Sequence, residues 1–444
     1  MNPIVNDHYL CDAEVHIFDN RIYMYGSQDE KNGTEYCPLD YICYSCDIND
    51  FGNFKYEGVI YHKNQDPLNP DGSHALYAPD VVMGNDGLYY LYYGLSNIDS
   101  ISVARSDSPT GPFSYYGTVQ YPKGIDYRTL DHRPYHFDPS VINDDGRIIL
   151  SLGFSVDADI PGMGLSDQNN HGCYVVELED DMLTMKNIPD LVIPGYKYGK
   201  GTSFEGHEFL EAASLRKYND TYYLLYSSKH QHELCYATSK YYNQDYVYQG
   251  ILISNASKLS DDDILANNYA NNHGCLLNIN DDYYIFYHRH TYAKQYSRQV
   301  CMEKLIMKDG KFITSAITSS GLTFLTKGVY DASIACELYD DQNGIYIDFL
   351  ENGIDKALRC DKEITNITNT TISYRYFKDI NELILVFDKT DCLIKIYQDE
   401  HLIFNNYSQN KTVNIPLLTV NKAFTITIVI AKANNISLKQ LIAK

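Results

Sequence analysis

The chain has 444 residues, 21% of them charged, with a formal net charge of −22 and an isoelectric point near 4.9. A chain this acidic lacks the clustered Lys and Arg that neutralise phosphates, which excludes nucleic acid and anionic membrane surfaces as partners. No apolar run approaches the ~18 residues that span a bilayer, and the aromatics are 43 Tyr and 16 Phe with no Trp.

The N-terminal stretch MNPIVNDHYLCDAEV has neither a basic n-region nor an apolar h-region, so a cytoplasmic location is expected. From Asp12 the phrase DAEVHIFDNRIYMYGS reads as a strand, a polar turn and a second strand dense in Tyr, Ile and Leu. The Cys43-Tyr44-Ser45-Cys46 spacing follows, but no second pair or His cluster accompanies it at zinc-site distance. The hairpin phrase returns as APDVVMGNDGLYYLYYG from Ala78, DPSVINDDGRIILSLG from Asp138, EAASLRKYNDTYYLLYSS from Glu211 and HGCLLNINDDYYIFYHR from His273. Segments 103–117 and 234–250 each read as a further strand, turn and strand between these hairpins. Units of 60 to 73 residues have room for about four short strands, which predicts blades of a radial array. From about residue 316 the blade phrase stops, and alternating strands such as TISYRYF, LILVFD and FTITIVIA predict a β-sandwich. The fold class is therefore all-β, a five-bladed β-propeller over 1–315 followed by a jelly-roll-like sandwich over 316–444. The 11 Cys, an odd number scattered through strands, fit reduced and buried thiols.

Equivalent positions of successive blades converge on one axis, so a shared register would bring Asp12, Asp138, Glu211 and His273 together. Cleavage of a glycosidic bond needs one protonated carboxyl to donate to the leaving oxygen and one ionised carboxyl to activate water or attack carbon. A third carboxylate tunes the other two by charge repulsion. Asp80 stands two residues out of line with Ala78 in that register and is read as structural. His273 is expected to contact substrate or to hold a water or metal ion, with Gly274 leaving space beside its ring. Arg298 is expected to fork onto a sugar hydroxyl or to pair with one of the acids.

The phrases from Asp12, YAPDVV (Tyr77 to Val82), FDPSVINDDG (Phe137 to Gly146), the Glu211 hairpin and FYHRH with YSRQ resemble glycoside hydrolase family 43. That resemblance spans the whole propeller and implies an inverting hydrolase acting on arabinosides and xylosides. It implies Asp12 as general base, Asp138 as the residue that raises the acid's pKa and orients it, and Glu211 as general acid. It also implies Tyr77 and Arg298 at the substrate, and His273 as an axial histidine that in several members sits near a calcium ion or its water. No cofactor is required by this chemistry, and a structural calcium on the axis is the one ion the resemblance brings. Departures are Tyr77 where Trp is common, Ala13 where Pro is common, and Ala212-Ala213 after Glu211, with Glu205 as a rival acid upstream. The ASIACELY phrase at 332–339 is similar to family 6 carbohydrate-binding-like domains. The expected substrates are terminal α-L-arabinofuranosyl or β-D-xylosyl units of short oligosaccharides. The alternatives are a retaining, fructosidase-like propeller and a propeller that binds sugar without cleaving it. Neither arabinose against xylose nor the oligomeric state follows from the residues.

Overall fold

The computed structural model describes residues 2–5, 7–158, 160–230, 233–254, 271–290, 295–315, 317, 321, 327–332, 336–340, 345–347, 350–351, 354–355, 364–377, 380–419 and 424–444. Among them are antiparallel strands, three short 3-10 turns and no α-helix. Blade one is Tyr9–Phe18 (β1), Arg21–Asp29 (β2), Tyr41–Asp47 (β3) and Lys55–Tyr61 (β4). Blade two is Leu76–Met83 (β5), Tyr89–Leu95 (β6), Ile101–Ser106 (β7) and Ser114–Thr118 (β8). Blade three is Ser140–Asp144 (β9), Arg147–Phe154 (β10), Gly172–Leu178 (β11) and Asp190–Pro194 (β12). Blade four is Phe209–Tyr218 (β13), Thr221–Ser228 (β14), Glu233–Ser239 (β15) and Val247–Ser254 (β16). Blade five shows three strands among the described residues, Gly274–Ile279 (β17), Asp282–His290 (β18) and Arg298–Leu305 (β19).

The hairpins turn where the sequence supplies residues that tolerate a left-handed backbone. Asp19 and Asn20 have φ of 46° and 63°, and Asn280 and Asp281 have 51° and 68°, the conformation of two-residue hairpin turns whose twist matches the strands. The strands are apolar on both sides because each blade is covered on both faces. In β6, Leu91 and Tyr93 join the cluster shared with blade one, and Tyr90 and Tyr92 join the cluster shared with blade three. In β14, Leu224 and Tyr226 face blade three while Leu225 faces blade five. Continuous Tyr and Leu runs are what a strand buried on both faces requires.

The ring closes between blades five and one. The inner strands β1, β5, β9, β13 and β17 each neighbour the next, and β17, β18 and β19 pack on β1. Val15, Met24 and Ile42 of blade one share a core with Cys275, Phe286 and Val300 of blade five. Residues 2–5 clasp this seam: Asn2 Nδ2 donates to Met302 O at 3.1 Å, Met302 N donates to Asn2 Oδ1 at 2.9 Å, and Ile4 N donates to Val300 O at 2.9 Å.

The strands expected after residue 316 form two further antiparallel sheets. One contains Gly328–Asp331, Glu382–Phe387, Thr412–Pro416 and Ile436–Ala443; the other contains Thr370–Phe377, Leu393–Gln398, His401–Tyr407 and Phe424–Ala431. Alternate residues of both enter one core, among them Leu383, Leu385 and Leu441 from the first and Ile394, Ile396, Ile426 and Ile428 from the second. Of the ASIACELY phrase, 333–335 lie outside the described residues, and Cys336–Asp340 is a strand.

Candidate active site

β-bulges at the mouths of three of the inner strands shape the site. The pairing of β1 with β2 skips between Cys11 and Glu14, that of β5 with β6 between Tyr77 and Asp80, and that of β13 with β14 between Glu211 and Ser214. The first bulged residue is left-handed in each case, with φ of 50° at Asp12, 21° at Ala78 and 63° at Ala212; Asp138, just before β9, has 45°. Such a conformation costs a non-glycine residue about 1–3 kcal/mol and is characteristic of functional sites, and the bulge turns successive side chains toward the axis.

This geometry corrects the register expected for blade four. Ala212 occupies the position of Asp12, Ala78 and Asp138, and Glu211 stands one residue before it, opposite Ser227. The reason is a second irregularity between Phe209 and Glu211, which uses up one residue that an even count assigns to the repeat. Glu211 still opens onto the same cavity, a pocket of about 430 Å³ that Asp12, Tyr77, Asp138, His273 and Arg298 also line. Glu205 lies outside it, in an exposed loop where its Oε2 accepts from Gly201 N at 3.0 Å.

The carboxyls are held in different states. Burial alone would raise the Asp12 carboxyl, but Arg298, His288 and His273 outweigh it and hold Asp12 well below the usual carboxylate range. Arg298 Nη1 donates to Asp12 Oδ1 at 3.0 Å, while its Nε and Nη2 each donate to Asp29 at 2.9 Å. His288 Nε2 donates to Asn271 O at 2.9 Å, and its Nδ1 lies 3.3 Å from both Asp12 N and Asp12 Oδ1. Burial pushes Glu211 up to about 8, with Asp138 and Asp12 adding charge repulsion. Asp138 is raised to about 7 by burial and by Asp12, against the opposing pull of His273 and of Ala212 N, which donates to Asp138 Oδ2 at 2.9 Å. That last bond ties Asp138 to the backbone immediately after Glu211.

His273 faces protein on both nitrogens, Nε2 lying 3.4 Å from Glu14 Oε1 and Nδ1 3.8 Å from Asp138 Oδ2. Burial opposes its charge, but Glu14, Asp138 and Asp12 raise the imidazole to about 9. Gly274 does not leave space beside this ring: a Cβ there would meet Phe286 O at 1.8 Å, so the position is set by close approach of β18. Deeper on the axis, Glu14, His16 and Asp80 offer ligand atoms within 4.8 Å of one another. The Arg216 guanidinium is already there, with Nη2 on Glu14 and 3.4 Å from His16 Nε2, and Nη1 3.9 Å from Asp80 Oδ2. An axial calcium does not fit this arrangement, because two protein cations already neutralise the acids it would bind. Asp80 also accepts from Val81 N and Val141 N, both at 2.8 Å, and so ties blade two to blade three.

Several site residues fall outside the register of the hairpin repeat. Asp29 ends β2, Cys37 lies in the loop after it, Asn272 precedes β17, His288 lies near the end of β18, and Tyr36 puts its ring 4.6 Å from the Arg298 guanidinium. Phe137, Phe154, Met163 and Leu210 form the apolar wall of the pocket. Asn272 is 1% exposed, lines the pocket, and has no hydrogen-bond partner for either amide atom among the described residues. Cys43 and Cys46 enter the cores toward blade two and toward blade five respectively, so their CxxC spacing does not make a ligand pair.

The sequence profile of the glycosyl hydrolases family 43 matches residues 1–312. A xylosidase/arabinosidase of Thermoclostridium stercorarium is 40% identical over 395 residues, covering 83% of this chain and 80% of the relative. One of Bacteroides ovatus is 30% identical over 280 residues, covering 56% of this chain and 80% of the relative. Among solved structures, a family 43 β-xylosidase/α-arabinofuranosidase from a compost microbial metagenome, in a calcium-free complex with xylotriose, superposes with a TM-score of 0.56 at 26% identity, covering 71% of this chain and 97% of its own. A Bacillus subtilis arabinoxylan arabinofuranohydrolase shares the fold over 100% of this chain and 97% of its own, with a TM-score of 0.53 at 19% identity.

Proposed function

The chain belongs to glycosyl hydrolases family 43, and from that premise we propose that it releases terminal β-D-xylosyl or α-L-arabinofuranosyl units from short oligosaccharides with inversion at the anomeric carbon. The observation that carries this reading is the opposite charge state of two carboxyls lining one pocket. Asp12 is held ionised by Arg298 and Glu211 is held protonated by burial and its neighbours. Asp12 then takes a proton from water as that water attacks, and Glu211 donates its proton to the departing oxygen. Asp138 positions the acid through Ala212 N and keeps its proton on by repulsion.

Asn272 is the amide that the sugar hydroxyls complete. A buried amide without partners costs about 1–3 kcal/mol, and a polyol in the pocket supplies both the acceptors and the donors it lacks. His273, paired with Glu14 and Asp138, holds the floor of the pocket and replaces, together with Arg216, the axial calcium. The division into a catalytic propeller over 1–315 and a carbohydrate-binding-module-like unit over 316–444 belongs to the same proposal, supported by the separate core of the second part. So does work in a reducing compartment, supported by the buried thiols of Cys11, Cys37, Cys43, Cys46, Cys173, Cys235, Cys275 and Cys392.

Proton NMR of the first-formed sugar tests the mechanism. Xylobiose and a nitrophenyl α-L-arabinofuranoside should each release the anomer opposite to that of the substrate before mutarotation. Release of the same anomer, or a sugar trapped on Asp12, would replace this reading with a retaining mechanism.

A further inference from the structure

We propose that Cys11, Cys37 and Asp12 form a site for a thiophilic divalent cation of the zinc or cadmium class, whose binding switches the hydrolase off. Both thiols converge on one carboxylate oxygen: Cys11 Sγ and Cys37 Sγ each lie 3.5 Å from Asp12 Oδ2. The three ligand atoms all fall within 4.8 Å of one another. A tetrahedral ion bonded at ~2.3 Å to sulfur and ~2.1 Å to oxygen sets sulfur and oxygen about 3.6 Å apart and two sulfurs about 3.8 Å apart. Both sulfur–oxygen edges of that polyhedron are therefore already in place, and the ion seats with small side-chain rotations.

The surroundings decide which cation fits. Two sulfurs favour zinc and cadmium over the hard cations calcium and magnesium. Cys37 and Asp12 line the pocket, so three protein ligands leave the fourth position open to pocket water, the form of a site that exchanges its ion. Cys37 is fixed with φ of 54° by its N–H, which donates to Asp29 Oδ1 at 3.0 Å. Arg298 Nη2 lies 3.0 Å from Cys37 Sγ, but its guanidinium is shared with Asp29 and Asp12. Binding forms two metal–sulfur bonds and one metal–oxygen bond and breaks two S–H bonds, whose protons leave to solvent; nothing is oxidised or reduced. Asp12 Oδ2 is then committed to the metal and cannot accept a proton from water. This consequence rests on the reading of Asp12 as base, whereas binding of the ion does not.

Cadmium chloride titrated into the full-length protein tests both parts, with the ultraviolet thiolate-to-cadmium charge-transfer band and hydrolysis followed together. The band should saturate at one equivalent while hydrolysis is lost, a chelator should reverse both, and calcium or magnesium should do neither. Cys11→Ser and Cys37→Ser should each remove the band and raise the half-inhibiting concentration roughly tenfold or more, each measured against its own uninhibited rate. Cys235→Ser should leave both readouts unchanged, although Cys235 forms a second cysteine-containing ligand group, among the described residues, with His207 and Glu233. Cadmium-113 NMR of the unsubstituted protein gives an independent measure, a shift characteristic of two sulfur ligands. A band that survives in both the Cys11 and Cys37 variants, one lost in the Cys235 variant, or a shift without sulfur ligation overturns the site. Saturation at one equivalent with undiminished hydrolysis keeps the site and removes Asp12 from the role of base.

Discussion

Replacing Glu211 by Gln keeps the shape of the side chain and removes the one proton it can give. With its carboxyl raised to about 8, Glu211 is about 90% protonated at pH 7, whereas at the ordinary value of 4.5 only about 0.3% would be, so the pocket enlarges the competent fraction roughly 300-fold. A positioned acid contributes about 10²–10⁴ in rate where the leaving group needs protonation. Glu211→Gln should therefore lose that factor in kcat/KM on xylobiose and less than about tenfold on a dinitrophenyl xyloside, whose phenolate departs unassisted. The pH profile supplies a second readout. The unsubstituted enzyme should lose activity on xylobiose as pH rises through about 8, because the acid loses its proton there, and in the variant that alkaline limb should be absent. Steady-state rates from pH 5 to 9 on the two substrates suffice as the assay. Equal losses on both substrates, or an alkaline limb that persists, would refute the assignment of Glu211 as acid.

The remaining predictions concern the rest of the pocket. Arg298→Met removes the cation that holds Asp12 and Asp29 ionised, so the burial that opposes charge on Asp12 prevails and its carboxyl rises. The base works only when ionised, so the acid limb of kcat/KM should move from well below pH 4 up into the assayed range, and a urea titration should show a loss of about 3–5 kcal/mol from two buried carboxylates left unpaired. Asn272→Leu removes an amide that folding buries without a partner, so the melting temperature should hold or rise while kcat/KM falls roughly tenfold or more; a fall in both would mean that the amide is structural. Prolonged treatment with a calcium chelator should leave kcat/KM and melting temperature unchanged, because Arg216 and His273 supply the positive charge at Glu14, Asp80 and Asp138; a loss restored by calcium would show that the axis holds the ion after all.

Strand after strand, local chemistry determined the blades. Asp19-Asn20 and Asn280-Asp281 could turn left-handed, and runs such as YYLYYGL could be buried on both faces, so the five hairpins and their order were legible from residues close together in the chain. The pocket's acids were legible for the same reason, since a radial repeat converts sequence register into position on an axis. The register was nevertheless one residue wrong at Glu211. A bulge adds a residue to one strand without changing its composition, and only the partner strand shows where the pairing skips. Tertiary structure alone decided which charges meet. Asp29 and Cys37 come from a strand end and a loop, nothing near them in sequence marks them as neighbours of Asp12 or Glu211, and no count of register puts His288 of β18 on the Asp12 amide. Closure of the ring also placed Arg216 of blade four against Glu14 of blade one. The protonation of each acid follows from such distant partners and from burial, and neither exists until blade five has met blade one.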